Sequence, residues 1–198
     1  MKTFWNIDKN LTALNEWQPN CWVQVTCPTD EDQRLLEEEF KIPDYFLSDI
    51  SDTDERARYE YDDGWMLIIL RIPYVKEIRS RTPYTTVPLG IIHKRDVTIT
   101  VCFYETNMMI DFVSYQQKRG EGFTDYVDMI FRLFLSSAVW YLKRLKQINS
   151  LIEKAKRNLD HGVNNESLIG LSRLQDSLTY FTTSIPVSYT HLTLPTSD

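Results

Sequence analysis

The sequence predicts an α/β (α+β) sandwich, a mixed central β-sheet flanked by helices, followed by a long antiparallel helical hairpin that acts as a stalk. Three observations predict it. Up to about residue 120, runs rich in aromatic and β-branched residues alternate with short helical patterns. The later of these runs are joined by turns too short for a parallel crossover, so the sheet is not a regular βαβ winding. From Phe123 onward, apolar or small residues recur in steps of three and four as far as Leu159, which is the period of one long helix.

The elements follow in order. "KTFWNI" and "CWVQVTC" carry the residues of strands. Thr29 then reads as a helix N-cap, with Asp30, Glu31 and Asp32 favourably placed against the helix dipole and Leu35, Leu36 and Phe40 on the inner side. Lys41 closes that helix, and "IPDYFLSDI" opens a short second one with Pro43 at its first position. "RYEYDDGWMLIILRIPYV" is a hairpin turning at Asp63-Gly64; "WMLIIL" is apolar at every position, as a central strand covered on both faces must be. "TTVPLGIIHKRDVTITVCFY" is a second hairpin, turning at Lys94-Arg95-Asp96.

The long helix carries its seam on Phe123, Val127, Ile130, Phe134, Ala138, Tyr141, Leu145, Ile148, Ile152, Ala155 and Leu159. At 1.5 Å per residue it extends on the order of 55 Å. Its second half is basic, with Lys143, Arg144, Lys146, Lys154, Lys156 and Arg157. "DHGVNNES" breaks it, with Gly162 as the stop and Asn165 as the next cap. A last helix bears Leu168, Leu171, Leu174, Leu178 and Phe181 and ends near Ile185. Residues 186–198, "PVSYTHLTLPTSD", fit neither helix nor strand and read as a non-native tail, set aside from the fold. The expected division is therefore a domain over 1–120, stalk helices over 121–185 and the tail.

With 42% hydrophobic and 25% charged residues in 198, the chain has a globular composition. Its net charge of −6 argues against nucleic acid as a partner, since a phosphate-backbone binder needs a basic face. Cys21, Cys27 and Cys102 form no CxxC pair and read as reduced thiols. "MKTFWNIDKN" has no apolar core for a secretory signal. No run approaches the roughly 20 apolar residues of a membrane span, so the chain as given is expected to be soluble.

Catalytic signals are missing. His93, His161 and His191 are scattered, His93 reading as a surface residue beside a turn, and no glycine-rich phosphate loop occurs. The expectation is that this is not an enzyme. In "SDISDTDERARYE", Asp49, Asp52, Asp54 and Glu55 lack the spacing of a calcium loop; beside Arg56 and Arg58 they read as turn and cap residues with local ion pairs. The basic half of the long helix reads as a solvated face.

Three stretches together resemble one family. "IPDYFLSDISDTDERARYEYDDGWMLIILRIPY" resembles the N-terminal region of the CorA-type magnesium and cobalt ion channels, with Ala57 where the family often has proline. "VPLGIIHKRDVTITVC" is similar to the family's next hairpin, and "LIGLSRLQDSLTYFTTSI" to the helix that precedes its pore helix. The resemblance implies the cytoplasmic regulatory domain of a divalent-cation channel at the inner face of the cell membrane, carrying Mg2+ or Co2+. It implies a homopentamer gated by divalent cations bridging the subunits, with no other cofactor. The pore helix, the Gly-Met-Asn signature and the membrane spans would lie beyond Ile185. In the loop "YVKEIRS", Glu77 is the candidate regulatory metal ligand, with Lys76 beside it. A zinc-transporting relative and a soluble helical-hairpin interaction module are the alternatives. Alone, the chain is expected to self-associate weakly or not at all.

Overall fold

The computed structural model describes residues 1–8, 10–77, 80–160 and 165–190. Seven strands form one mixed sheet: β1 (Lys2–Asn6), β2 (Thr12–Leu14), β3 (Trp22–Thr26), β4 (Arg58–Asp62), β5 (Trp65–Val75), β6 (Tyr84–Lys94) and β7 (Val97–Cys102). Their order across the sheet is β2-β1-β3-β7-β6-β5-β4. Among these described strands only β3 and β7 pair in parallel, joining the N-terminal group β2-β1-β3 to the β4–β7 meander. The helices are α1 (Asp30–Arg34), α2 (Asp44–Ser51), α3 (Asn107–Arg119), α4 (Tyr126–Asp160) and α5 (Asn165–Thr190).

The turn chemistry acts as the residues dictate. Asp63 and Gly64 both adopt positive φ, 44° and 76°, so Asp62 and Trp65 face each other across a two-residue turn. Thr29 accepts from the Asp32 N–H while Asp32 accepts from the Thr29 N–H, a reciprocal cap. Burial would raise the Asp32 carboxyl, but that hydrogen bond and the N-terminal charge outweigh it and hold it below the usual range. After α1 the chain widens into a π-helical turn over Leu35–Glu39 and stops at Lys41, which takes φ 56°. Pro43 is the cap of α2 rather than its first residue, so the helix begins at Asp44, one residue later than the sequence suggests.

Because strand side chains alternate, β5 feeds two cores. Leu67 and Ile69 join Val23, Leu36, Phe46, Ile50 and Val101 on the α1–α2 side. Ile68, Leu70 and Ile72 join Trp22, Leu89, Met108, Phe112, Met129, Leu133 and Trp140 on the α3–α4 side. The apolar run over 65–70 is therefore covered on both faces.

Helix α3 was not anticipated; it caps on Thr106 and closes on Gly120 at φ 70°. The buried face of α4 also differs in phase. Met129, Ile130, Leu133, Ser137, Trp140 and Tyr141 are buried, whereas Val127 and Ala138 of the expected seam are exposed. Apolar residues lie almost all round α4 between 126 and 142, so periodicity alone could not select the inner side. Further along, Tyr141, Ile148 and Phe181 form a small cluster that ties α4 to α5. Helix α5 also packs on β6 and β5, where the Tyr84 N–H donates to Ser177 Oγ at 3.3 Å. It runs to Thr190, past the expected end at Ile185. Gly162 lies outside the described residues.

Candidate functional site

The hairpin of β5 and β6 is long, each strand having 11 residues, and it presents the loop that holds Glu77. Val75 pairs with Tyr84, and the Lys76 N–H donates to Pro83 O at 2.8 Å, so the ladder holds the loop to its base. The Ser80 N–H and hydroxyl both donate to Glu77 O, at 2.9 and 2.7 Å. Lys76 and Glu77 are exposed. Among the described residues, no group of three or more His, Cys, Asp or Glu side chains could hold a metal ion. Glu77 thus offers one solvent-facing carboxylate. That suits a cation that keeps most of its waters and does not suit an all-protein cage.

The acidic stretch is organised by one guanidinium that sequence reasoning did not single out as its centre. Arg58 donates to Asp49 Oδ2 at 2.6 Å, to Glu60 Oε2 at 3.2 Å, and to Glu55. Burial would lower its pKa; the hydrogen bond to Asp49 and the charge of Glu55 outweigh that and raise it. Asp52 accepts from the Asp54 N–H at 2.9 Å in the turn after α2. These acids are therefore turn formers or partners of Arg58, as their spacing suggested, and Ala57 is fully buried beneath them.

A second guanidinium, Arg71, is buried without a carboxylate among its partners. It donates to Thr53 O and Glu55 O at 2.7 and 2.9 Å, and to Thr86 O and Oγ1. It locks the "DTDE" turn onto β5 and β6. The Arg71 carbonyl in turn accepts from the buried Tyr141 hydroxyl of α4 at 3.1 Å. One residue thus joins the α2–β4 connection, the sheet and the long helix. No sequence signal distinguishes it beyond a charge in an otherwise apolar strand.

His93 is not the surface residue expected from its place beside a turn. It is half-buried, its ring stacked on Tyr126 at 3.6 Å between centroids, with Nδ1 2.9 Å from Thr98 Oγ1. Burial pushes its pKa down, against the Val97 backbone and Asp96, which push it up. It borders a cleft of about 320 Å3 that Asp8, Arg95, Asp96 and Asp125 also line. Among the described residues these acids form no group of three or more side chains that could hold a metal ion. His161 and His191 lie outside the described residues. Cys21 and Cys102 are buried, the latter's thiol pushed up to about 12 by burial, and Cys27 is exposed.

No helix among the described residues is long and apolar enough to cross a membrane. The family model described as CorA-like Mg2+ transporter protein matches residues 17–188. No curated protein matches the sequence. Among solved structures, the fold is similar to the complete CorA magnesium transporter from Methanocaldococcus jannaschii, with a TM-score of 0.82 and 20% identity; the whole of this chain spans 65% of that one. The soluble domain of CorA from the same organism gives the same TM-score and identity, with 82% of its length covered. The ZntB cytoplasmic domain from Vibrio parahaemolyticus RIMD 2210633 gives 0.63 and 15%, over 94% of this chain and 84% of that one. At these identities the likeness is one of fold.

Proposed function

The chain belongs to the family of CorA-like Mg2+ transporter proteins, and from that premise we propose that it is the cytoplasmic regulatory part of a divalent-cation channel. It performs no catalysis. The cargo is Mg2+, with Co2+ as a second substrate, and the conducting segment belongs to the longer protein. The observation that carries this reading is the family match over residues 17–188. The likeness to a CorA soluble domain along the entire chain supports it. The lower likeness to the ZntB domain gives zinc no advantage.

In this reading the β5–β6 loop is the sensor. The exposed Glu77 carboxylate supplies one contact to a hydrated divalent cation, and a neighbouring subunit supplies another, since among the described residues of one copy no group of three or more His, Cys, Asp or Glu side chains could hold the ion. Cations bridging five subunits hold the channel shut. Their loss frees the subunits and lets it open. Lys76 beside Glu77 weakens the attraction, which fits a sensor of millimolar magnesium better than a tight site.

The complete protein reconstituted in vesicles is expected to pass Mg2+ and Co2+, read with entrapped fluorescent indicators. Millimolar Mg2+ is expected to slow proteolysis of its cytoplasmic part. Glu77→Gln should raise the Mg2+ concentration needed for that protection by about threefold to tenfold, a loss of roughly 0.7–1.4 kcal/mol, without altering folding of the chain. Vesicles that admit none of the divalent cations would end the transport reading. Unchanged protection in the variant would remove Glu77 from it.

A further inference from the structure

The far half of α4 holds the densest positive charge of the chain. From Lys143 to Arg157 stand six lysines and arginines and one acid, Glu153, in a protein of net charge −6. Lys143, Lys146, Lys154 and Arg157 are exposed and share one side of the helix, away from Leu145, Ile148 and Ile152, which pack toward α5. Among the described residues the ion pairs of this stretch are Lys143 with Asp111 of α3, at 3.8 Å, and Lys156 with Glu153, at 3.1 Å. They leave Lys146, Lys154 and Arg157 without a paired acid there.

The same end of the hairpin exposes aliphatic side chains. Leu168 and Ile169 of α5 are 45% and 52% exposed, and Leu151 of α4 is 38% exposed. Counting along the antiparallel helices from the contact of Tyr141 with Phe181 sets Lys154 level with Leu168. Ser184 meets Thr86 and Ser177 meets Tyr84, so α5 follows β6 back to its first residue, and Asp176 meets Arg81 in the β5–β6 loop. Leu168 stands about 14 Å of helix beyond Ser177, past the last strand pair of Val75 with Tyr84.

We propose that this end of the hairpin rests on the anionic headgroups of a lipid bilayer. Lys154, Lys156 and Arg157 meet lipid phosphates, and Leu151, Leu168 and Ile169 reach the boundary with the acyl chains. Two features select lipid. Exposed aliphatic side chains among lysines and arginines match the boundary between headgroup and hydrocarbon, whereas a nucleic-acid backbone has nothing apolar to offer them. Outside the basic stretch the chain has 27 acids against 16 lysines and arginines, which would repel a polyanion long enough to reach them. A bilayer touched only by the hairpin's end stays more than a Debye length, about 8 Å, from the sheet domain.

The contact presupposes the channel reading, which sets a bilayer beside every copy and lets all copies present the same end to it. It replaces the solvated face expected of the basic half of α4. Vesicle binding is read without any ion flux, so its failure is distinct from a failure of transport.

The whole 198-residue chain should float with vesicles of phosphatidylcholine containing about 30% phosphatidylglycerol, at millimolar lipid, and far less with pure phosphatidylcholine. Duplex DNA at equal phosphate should not displace it, and salt at about 0.5 M should release it. Lys154→Gln, Lys156→Gln and Arg157→Gln together should weaken partitioning roughly a hundredfold. The same loss of charge on the sheet domain, Arg34→Gln with Lys41→Gln and Lys118→Gln, should change it less than about twofold. Far-UV circular dichroism checks that both triple variants fold. With Cys27→Ser removing the exposed native thiol, a polarity-sensitive dye on Leu168→Cys should shift to the blue on anionic vesicles, and one on Ala13→Cys should not. A chain that does not float, equal binding to neutral vesicles, displacement by DNA, indifference to the triple substitution in α4, or an unmoved dye at 168 each overturns the proposal.

Discussion

Gly90 shows how closely the two layers meet. A Cβ built there would lie 2.1 Å from Ile50 Cδ1 and 2.5 Å from Ile50 Cγ1, both belonging to a side chain with no exposed surface. The glycine lets α2 lie directly on β6. Gly90→Ala is expected to destabilise by about 1–3 kcal/mol through overpacking, and Ile50→Ala by about 2–5 kcal/mol through the cavity it leaves. Combined, the two should cost less than their sum, since the new methyl occupies part of the vacated space; urea denaturation of the four proteins measures the coupling. His93 gives a pH signature. Its folded pKa lies below the ordinary value of 6.5 because burial disfavours the charged ring, so the unfolded chain binds the proton more readily. Its contribution to stability is fully present above about pH 6.5 and is lost as pH falls below that. Thermal melts between pH 7.5 and 5.0 should show a decline that His93→Phe, which keeps the stacking on Tyr126 but cannot titrate, reduces. An identical decline in the variant would assign it to other groups. Residue identities signalled the caps and turns directly, as at Thr29, Asp63 and Gly64. They gave no sign of Arg71 or Arg58 as hubs, because a guanidinium's role depends on carbonyls and carboxylates that only the fold brings together. Glu77 was legible as a loop acid.

At the level of elements, α3 carries the clearest unread signal. "TNMMIDFVSYQQKRG" begins with a threonine whose hydroxyl accepts from the Met109 N–H, ends with Lys118 and Arg119 in the last turn, and closes on a left-handed glycine. Its buried residues Met108, Met109, Phe112 and Gln116 span a narrow face, and the single short stripe was lost between a strongly patterned hairpin and a much longer helix. Thr106→Ala is expected to cost about 1 kcal/mol, the ordinary value of a lost N-cap. Thr106→Ser should restore most of it, since serine keeps the accepting oxygen. Equal losses for the two variants, read from denaturation midpoints, would mean that packing of the threonine methyl matters and the cap does not. The phase of α4 was illegible for the opposite reason. It has too many apolar positions rather than too few, because one side meets the sheet, α3 and α5 while Phe131, Leu135, Val139 and Leu142 stand exposed on another.

Across the whole molecule, the strand order depends on a single long-range pairing that local pattern could not reveal. Trp22 to Thr26 of β3 lie in parallel register with Thr98 to Cys102 of β7, although α1, α2 and the strands β4 to β6 intervene in sequence. That pairing joins the β2-β1-β3 group and the β4–β7 meander into one sheet, and the sheet then supports the helical hairpin. The hairpin is docked unevenly. Helix α4 contributes Met129, Leu133 and Trp140 to the main core, whereas α5 is held by the Tyr141–Ile148–Phe181 cluster and polar contacts along β6. Phe181 is fully buried and meets Tyr141 edge-on at 5.3 Å. In a fully cooperative domain, Phe181→Ala would lower global stability by about 3–5 kcal/mol. Here the loss has a ceiling. Once docking of α5 costs more than it returns, the helix detaches and the sheet survives, so the measured effect cannot exceed the docking free energy itself. Phe181→Ala is therefore expected to abolish amide protection along α5 and to leave β5, β6 and β7 protected, with a drop in global stability below about 3 kcal/mol. Loss of protection in the strands to the same degree would show that α5 is an integral part of the core and does not detach from it.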